Sequence, residues 1–449
     1  MASSKTSNGK GKGDHSGMVQ LSINFFISMM LADLNDSAKS NKKTLIVPDK
    51  DADGLSSGAI LRHSLILLGL DENLIEVHLL QKGNTIHSPS ERTLMEAHEP
   101  SYIFVLDQGS RHSPPLVSTQ HTCLVIDHHY ATPSDFPENS SYVNACTSPP
   151  VATSSLLTYL LCLPLHPSVH AKTAWLAVLG TWGDLSSTLK WLPPFPDMSE
   201  TLKTHKKTTL NKAVALVNAP RRTASFDVRS AWDALATTPD PASILANKRL
   251  LAASEEIRAE TERCTHAAPK FSADGRVAVF RIRSEAQVHP VIATRWAGHL
   301  KSNALEFVLV ANEGYLAGKV NFSCRVARSA KGREGADEVD IIRELKAYAS
   351  LPDVSEDGEE DPADQEKKPP LLQRLGDDFA RGHVHASGGI VEAHEFGELM
   401  RLMQVGVKTA KKDEKSSPAK KKKAGIDPGQ KNTLAGYFGK ANGKPEDGK

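Results

Sequence analysis

Residues 123–129 read Cys123-Leu124-Val125-Ile126-Asp127-His128-His129, a short apolar run that ends in one aspartate and two adjacent histidines. Imidazole and carboxylate groups together suit Mn, Zn and Fe, and carboxylates also bind Mg. Taken alone, the triplet fits an exposed turn as well as it fits a metal site. The rest of the chain decides between these two interpretations.

Three other apolar segments run into acidic residues in the same way. They are 44–48, followed by Asp49, Asp51 and Asp53; 102–106, followed by Asp107; and 174–179, a predicted buried helix that is followed by Gly180-Thr181-Trp182-Gly183-Asp184. A further apolar run, 75–80, ends without an acid. Short β-branched runs separated by amphipathic stretches such as 56–70 predict parallel strands joined by crossover helices. In such α/β sheets ligands bind beyond the carboxyl ends of the strands, where these acids would meet.

The order of these motifs resembles the DHH phosphoesterases, a family that includes RecJ-type exonucleases, NrnA-type oligonucleotide phosphatases and some inorganic pyrophosphatases. The matching motifs are DxDxDG at 49–54, Asp-x-Gly at 107–109, Asp-His-His at 127–129 and GTxxD at 180–184. Residues 382–389 are similar to the GHxxASGG signature of the DHH-associated domain, and 322–325 to its preceding strand and arginine. The resemblance spans residues 18–407. It implies an α/β protein in which a parallel-sheet DHH domain is joined by a helical linker to a smaller α/β DHH-associated domain.

The resemblance also implies hydrolysis of a phosphoester by an activated water and two divalent ions, Mn or Mg. Two ions about 4 Å apart can hold a phosphate, lower the pKa of water and stabilise the leaving oxygen. Asp107 would bridge the two ions, and Asp49 would join it at the first. The ligands implied at the second ion are Asp51, His128 and Asp184. His129 would contact substrate or support the transition-state charge, and Asp127 would orient a histidine from outside the ligand sphere.

One position departs from the family pattern. Several members place a histidine four residues before the first acid of the DxDxDG motif, where this chain has Leu45. The first ion therefore has one candidate ligand fewer, as in the RecJ-like branch. Asp53 could compensate, but it precedes Gly54 and a predicted helix, where an acid is favoured for capping. We expect Asp53 to support or cap rather than to bind metal.

The second domain is expected to hold the substrate. Gly388 and Gly389 would let the backbone approach a phosphate closely, and Arg325 offers a two-pronged donor for phosphate oxygens. His383 and His385 alternate along a strand-like segment, so only one of them can face the cleft. The resemblance favours His383.

The 449 residues are enough for two or three domains, and a formal net charge of +1 hides opposite charge blocks. Residues 353–366 carry eight acids and no base, whereas 408–449 carry twelve lysines and five acids. The predicted segments are a disordered N-terminus at 1–17, the DHH domain at 18–240, a linker helix at 241–266, the DHH-associated domain at 267–407 with an acidic disordered insertion at 353–369, and a basic disordered tail at 408–449. Residues 18–34 are too short and mixed for a membrane span, and they lack the pattern of a signal peptide. The five scattered cysteines fit a reducing compartment.

The basic tail carries two recognisable signals. Residues 417–423, Ser-Pro-Ala-Lys-Lys-Lys-Lys, predict nuclear localisation, although such a run could also serve only nonspecific contact with nucleic acid. Residues 431–438 resemble a box that binds the PCNA sliding clamp, with Leu434, Tyr437 and Phe438 at its apolar and aromatic positions. The usual leading glutamine is displaced, because Gln430 lies one residue too early.

Together these patterns predict a nuclear RecJ-like exonuclease that acts on single-stranded DNA or short oligonucleotides, with a role in DNA repair. A first alternative keeps the metals and changes the substrate to polyphosphate or a nucleotide phosphate. A second alternative is a replication scaffold without activity. A scaffold has no need to gather so many acids in one cleft, where they repel one another without metal.

Overall fold

The computed structural model of the protein describes residues 42–331, 333, 339–352, 369–376 and 379–407. The predicted disordered segments 1–17 and 408–449 and the acidic insertion, apart from Pro369, lie outside the described residues, as do Leu434, Tyr437 and Phe438. Two sheets, both in one compact unit, organise the described part of the chain.

The first sheet is parallel and five-stranded. Its strands are β1 (Thr44–Pro48), β2 (Ile75–Val77), β3 (Tyr102–Leu106), β4 (Thr122–Asp127) and β5 (Ser140–Asn144), in the order β2-β1-β3-β4-β5. Residues of β1 and β3 are buried throughout, as expected of strands that are covered on both faces. The predicted strand ends therefore meet: β1, β3 and β4 are neighbours, and their carboxyl ends share one edge of the sheet.

Seven helices accompany the first sheet in the described part of the chain. They are α1 (Ala52–Leu67), α2 (Pro89–Ala97), α3 (Ser154–Cys162), α4 (Val169–Leu185), α5 (Ser199–Thr204), α6 (Lys207–Val217) and α7 (Val228–Thr237). The predicted crossover helix at 56–70 is α1, but the expected amphipathic pattern is not observed. Most of its 16 residues are buried, because α3, α4 and α7 pack against it on the side away from the sheet. The predicted buried helix at 174–179 lies within α4.

The predicted linker helix at 241–266 is two helices, α8 (Pro241–Leu245) and α9 (Lys248–Cys264). Asn247 separates them because its side chain accepts hydrogen bonds from the backbone N–H groups of Arg249 and Leu250, at 3.0 and 3.3 Å, and so begins α9. None of the helices in the described ranges is long and apolar enough to cross a membrane.

The second sheet is mixed. Its strands are β6 (Lys270–Phe271), β7 (Val277–Ile282), β8 (Phe307–Asn312), β9 (Lys319–Val326), β10 (Arg381–His383) and β11 (Ala386–Glu392), in the order β10-β11-β9-β8-β7-β6. Only β7 and β8 pair in parallel among these strands. The accompanying helices are α10 (His289–His299), α11 (Ile341–Ala349), α12 (Leu371–Arg374) and α13 (Ala393–Leu402). The two sheets have separate hydrophobic cores, which agrees with the predicted division into two α/β domains.

Candidate metal centre and substrate cleft

The acids predicted to bind metal lie together at the carboxyl edge of the first sheet. Asp49 follows β1, and its backbone N–H donates to Leu106 O at 2.9 Å; Asp107 follows β3, and its N–H donates to Ile126 O at 2.8 Å. The sheet thus continues for one residue beyond each strand and fixes both backbones. Asp107 has a φ of 63°, in the left-handed region that few residues other than glycine, asparagine and aspartate adopt.

Three groups of potential ligands overlap at this edge. Within each group the ligand atoms lie within 4.8 Å of one another, and the groups are Asp49, Asp51 and Asp107; Asp107, His128 and His129; and Asp53, His128 and Asp184. Asp107 and His128 each belong to two groups, so they occupy the middle of the cluster. The structure groups Asp51 with Asp49 and Asp107, whereas the resemblance implied a place beside His128 and Asp184. Asp53 stands there instead.

The His128 side chain shows that this cluster suits a cation. Its Nε2 atom lies 3.3 Å from Asp107 Oδ1 and 3.2 Å from Asp184 Oδ2. The same atom is buried and has no hydrogen bond of acceptable geometry within the described residues. An imidazole nitrogen and two carboxylate oxygens that converge at such distances form a ligand set that a shared divalent ion could use once it displaces the imidazole proton.

Asp53 has a second role that the sequence did not reveal. Its carboxylate accepts hydrogen bonds from the backbone N–H groups of Ser154 and Ser155, at 2.7 and 3.1 Å, and from the Ser155 hydroxyl. It therefore caps the N-terminus of α3, across the chain, and not that of its own helix. The residue that caps α1 is Asp51, which accepts from Asp53 N and Gly54 N.

Ser154 is a site residue that was not predicted from the sequence. Its hydroxyl donates to Asp107 Oδ1 at 2.9 Å, so α3 orients the central carboxylate. Its signal in the sequence was the run Thr153-Ser154-Ser155, which opens an apolar helix and could have been identified as a helix start.

The glycine of the GTxxD motif has a packing role. A Cβ atom at Gly180 would lie 2.3 Å from Ser155 Oγ and 2.9 Å from Asp53 Oδ1. Because α4 must approach α1 and α3 this closely, only glycine fits there. Asp184, one turn further along α4, thereby reaches His128.

Burial and mutual repulsion shape the electrostatics of the cluster. The pKa of Asp107 is raised well above its ordinary value, first by burial and then by the charge of Asp53. The pKa of Asp53 rises to about 6, through burial and the charge of Asp184. For His128 burial opposes protonation, but Asp107 and Asp184 outweigh it and raise its pKa to about 11. Burial and mutual repulsion thus disfavour the ionised carboxylates, and a bound cation would relieve that repulsion.

Asp127 holds His129 at the rim of the cluster. The buried Asp127 Oδ1 accepts from His129 Nδ1 at 2.8 Å and from His128 N at 2.7 Å. The hydrogen bond with Asp127 raises the pKa of His129, whose side chain is 58% exposed. This arrangement leaves His129 Nε2 directed away from Asp127, as the predicted orienting role requires.

A cationic wall lies against the acids. Arg221 and Arg222 come from a 3₁₀ turn, Pro220–Arg222, and Arg221 Nη2 lies 4.0 Å from Asp51 Oδ2. Burial and the charge of Arg221 lower the pKa of Arg222 to about 10, and Arg325 contributes to the same shift. Gln287 N donates to Arg222 O at 2.7 Å, which joins the second domain to this turn. Neither Arg221 nor Arg222 was predicted from the sequence, although adjacent arginines after a proline were a visible signal.

The second domain contributes Arg325 to this wall, with the neutral side chain of His289 beside it. Arg325 folds back along β9, and its Nη1 donates to Ser323 Oγ at 2.9 Å and to Cys324 O at 2.7 Å. Burial and the charge of Arg325 lower the pKa of His289 to about 3, and its buried Nδ1 has no hydrogen-bond partner among the described residues. Phosphate oxygens are the natural acceptors for such a set.

The other predicted substrate residues stand in or next to the second sheet. Gly388 pairs with Ser323 and Gly389 with Phe322. A Cβ atom at Gly388 would lie 2.5 Å from Phe322 O, so the close approach that this glycine allows is to β9. His383 belongs to β10, but its side chain lies outside the described set. His385 O accepts from Val326 N at 3.2 Å.

Comparisons with known proteins agree with this picture. The profile of the DHH family, N-terminal domain, matches residues 43–181. No curated protein sequence matches the chain.

Three solved structures share the fold. RecJ from Thermus thermophilus in complex with Mn²⁺ has a TM-score of 0.55 and 18% identity, over 84% of this chain and 54% of that one. An exonuclease RecJ bound to manganese has a TM-score of 0.52 and 16% identity, over 84% and 93%. The DHH domain of a member of a family of ribosomal proteins has a TM-score of 0.58 and 13% identity, over 88% and 92%. The chain thus spans about half the length of the Thermus RecJ.

These identities are low, so the likeness to solved structures concerns the fold. The DHH-associated character of residues 267–407 stays a prediction. The metal-suited cluster, the parallel sheet that builds it and the matching profile agree on one assignment: the chain carries a DHH-family N-terminal domain at residues 43–181.

Proposed function

We propose that the protein is a metal-dependent phosphodiesterase, related in activity to RecJ, that hydrolyses single-stranded DNA or short oligonucleotides from one end. The observation that carries this proposal is the position of the acidic cluster against the cationic wall: Arg221 lies 4.0 Å from Asp51, and the wall continues through Arg222 to Arg325 in the second domain. A cleft with cation sites on one side and phosphate donors on the other suits a phosphodiester.

The residues that would hold divalent ions, Mn or Mg, are those of the three overlapping groups. Two such ions would lower the pKa of a water and neutralise charge on the scissile phosphate. The RecJ structures with this fold contain Mn²⁺ or Mg²⁺. Carboxylates outnumber histidines in the cluster, which favours these hard ions.

The protein residues have separate tasks in this scheme. Ser154 fixes the rotamer of Asp107 through its hydrogen bond. The central carboxylate is thereby held in position to serve both ligand groups to which it belongs. Asp127 fixes His129 with one ring nitrogen directed outward, where it can donate to a phosphate oxygen. Arg222 and Arg325 bind the phosphate, and their partial burial strengthens that attraction.

The test uses single-stranded DNA and RNA oligonucleotides that are end-labelled, with Mn, and compares the wild type with Asp107→Ala. Asp135→Ala is the matched control, because Asp135 lies half-buried in the loop after β4 and its carboxylate accepts hydrogen bonds from Thr132. We expect mononucleotide release by the wild type and the control and none by Asp107→Ala. The label that is released first gives the polarity of digestion.

The same experiment separates the alternatives. Absence of cleavage by the wild type with Mn and with Mg would contradict the proposal. Phosphate release from polyphosphate or a nucleotide phosphate would then assign a small substrate. If the protein hydrolyses none of these substrates, the remaining alternative is a replication scaffold without activity.

We also propose that the protein acts in the nucleus, in DNA repair, and binds the PCNA sliding clamp through its tail. These proposals rest on residues 417–438, which lie outside the described part of the structure. Alanine at Lys420 to Lys423 should release a fluorescent fusion from the nucleus. A pull-down in which Tyr437→Ala with Phe438→Ala leaves clamp binding intact would remove the clamp proposal.

A further inference from the structure

A second basic site lies in the second domain, at the C-terminal end of α10. It is a surface pocket of about 710 Å³. Its polar lining consists of Lys301, Ser302, Asn303, Arg328, Ser329 and Arg333. None of the described residues that line it is acidic.

The cationic side chains of this pocket, which we call the α10 pocket, come from two separate segments of the chain, one after α10 and one after β9. Lys301 follows α10, Arg328 follows β9, and Arg333 lies a few residues further on. The backbone N–H of Arg328 donates to Ala297 O at 2.8 Å, which fixes the start of this side chain beside the end of α10. Convergence of these two segments makes this a built site and not a run of charge in one loop.

The donors of the α10 pocket are largely unused. Lys301 and Arg328 are exposed and form no ion pair with another described residue. The Ser329 hydroxyl is buried and has no hydrogen-bond partner among the described residues. Arg333 differs, because it donates to the carbonyl oxygens of Ser329, Ser302 and Leu305 and so holds the pocket wall in place.

Another pocket, formed where α9 meets the second domain, differs from the α10 pocket in its charge. It has a volume of about 940 Å³ and is lined by Glu256, Glu260, Glu285 and Glu313 as well as Arg263 and Arg283. Its charges are of both signs, and Arg263 pairs with Glu260 at 2.6 Å. A pocket whose described lining has three cations and no acid is therefore not a general property of this surface.

The distance from the cationic wall follows from the elements that connect the two sites. His289 beside the wall begins α10, and His299, next to Leu300 of the pocket lining, ends it, so that 11 residues separate the sites by roughly 16 Å. Along β9, the Arg325 guanidinium lies at the level of Ser323, five residues before Arg328, which again gives roughly 16 Å. A stacked strand advances about 3.4 Å per nucleotide, so about five nucleotides cover this span.

We infer that the α10 pocket binds a backbone phosphate of the single-stranded nucleic acid, about five nucleotides from the phosphate held at the cationic wall. The inference rests on the proposed function and adds a length requirement to it. Short oligonucleotides occupy the metal centre alone, whereas longer strands reach the α10 pocket as well.

The test measures binding of single-stranded DNA of three and twelve nucleotides to the full-length protein by fluorescence anisotropy. Ca²⁺ replaces Mn²⁺ so that the strand stays intact. The variant is Lys301→Ala with Arg328→Ala, and Arg333 is left in place because it supports the fold. The matched control is Arg343→Ala with Lys346→Ala, which removes two cationic side chains from α11 in the same domain.

We expect the Lys301/Arg328 variant to bind the twelve-mer about tenfold more weakly and the trimer unchanged. The dependence of its log Kd on log salt should also fall by about 0.7 for each phosphate that the variant no longer neutralises. The control should leave both affinities unchanged.

Three outcomes would overturn the inference. An equal decrease in affinity for trimer and twelve-mer would mean a general electrostatic effect, and no decrease for either would mean that the strand does not reach the pocket. If calorimetry with inorganic phosphate shows binding that the variant lacks while twelve-mer affinity is kept, the pocket is a site for a free anion. Failure of the wild type to bind either oligonucleotide would contradict the proposed function as well. The binding of the wild type therefore distinguishes a failure of the inference alone from a failure of the proposed function.

Discussion

The negative charge of Asp53 destabilises the folded protein, and the substitution Asp53→Asn removes that charge. The side chain is fully buried, and burial together with Asp184 raises its pKa from 3.8 to about 6. Such a rise corresponds to roughly 3 kcal/mol of destabilisation by the charged form. For an acid with a raised pKa the cost is absent below the unfolded value near pH 4 and complete above pH 6.

The same substitution weakens the cap of α3. Asparagine keeps one acceptor oxygen but directs an amide group at one of the donors that Ser154 and Ser155 present. The loss of one hydrogen bond to a charged group costs about 1.5–3 kcal/mol. The two effects oppose each other, so Asp53→Asn should change the free energy of unfolding by less than about 2 kcal/mol at pH 7.5 without metal. Below pH 4 the Asp53 carboxyl is protonated and its charge cost is absent, so the stability of the variant relative to wild type should be lower there than at pH 7.5.

Metal binding then separates a supporting role for Asp53 from a ligand role. Free ion at a hundredfold excess over Kd stabilises a folded protein by about 2.7 kcal/mol. If Asp53 only caps α3, Asp53→Asn should keep most of the Mn-induced increase in Tm, whereas Asp184→Asn should lose much of it. Urea unfolding at pH 3.5 and 7.5 and thermal unfolding with and without Mn measure these quantities. An Asp53→Asn protein that no longer responds to Mn, or whose stability relative to wild type does not depend on pH, would refute the reasoning.

Four further substitutions have defined outcomes. Gly180→Ala should lower the free energy of unfolding by about 1–3 kcal/mol because its Cβ would collide with α3. Gly397→Ala, in α13 with open space around it, should raise it by roughly 0.5–1 kcal/mol, and equal effects in thermal unfolding would contradict the packing argument. Asp127→Asn should lower the pKa of His129, measured by NMR titration, since the carboxylate that raises it is gone; an unchanged value would mean that another group sets it. Arg325→Ala should raise KM for an oligonucleotide about tenfold and leave Mn affinity intact by calorimetry, and an unchanged KM would exclude it from substrate binding.

The buried strands could be predicted because they are apolar without alternation. The runs at 44–48, 102–106 and 123–126 are all strands of the first sheet. β5 escaped prediction because Ser140–Asn144 is mostly polar and half-buried at the sheet edge. The amphipathic expectation for α1 failed for a related reason: layers on both sides cover it, and periodicity within one helix does not show how many neighbours it has.

The site residues that directly follow a strand could be predicted from the sequence. Asp49, Asp107 and His128 follow apolar strands whose adjacency the α/β pattern implies. The contributions of Ser154 and Arg222 were not predicted, because these residues reach the cluster only through helix packing and domain contact. A capping role was expected for Asp53, but at the helix that it precedes. The helix that it caps is α3, which begins about a hundred residues later.

The left-handed backbone at Asp107 bears on how the proposed activity could be lost during evolution. Asparagine and glycine adopt a φ of 63° with little strain, whereas β-branched or bulky residues do not. A lineage that no longer needs hydrolysis can therefore exchange this aspartate for asparagine or glycine and keep its architecture. In a related genome, asparagine or glycine at this position next to an otherwise preserved sheet would mark a protein that has kept its shape and abandoned its chemistry.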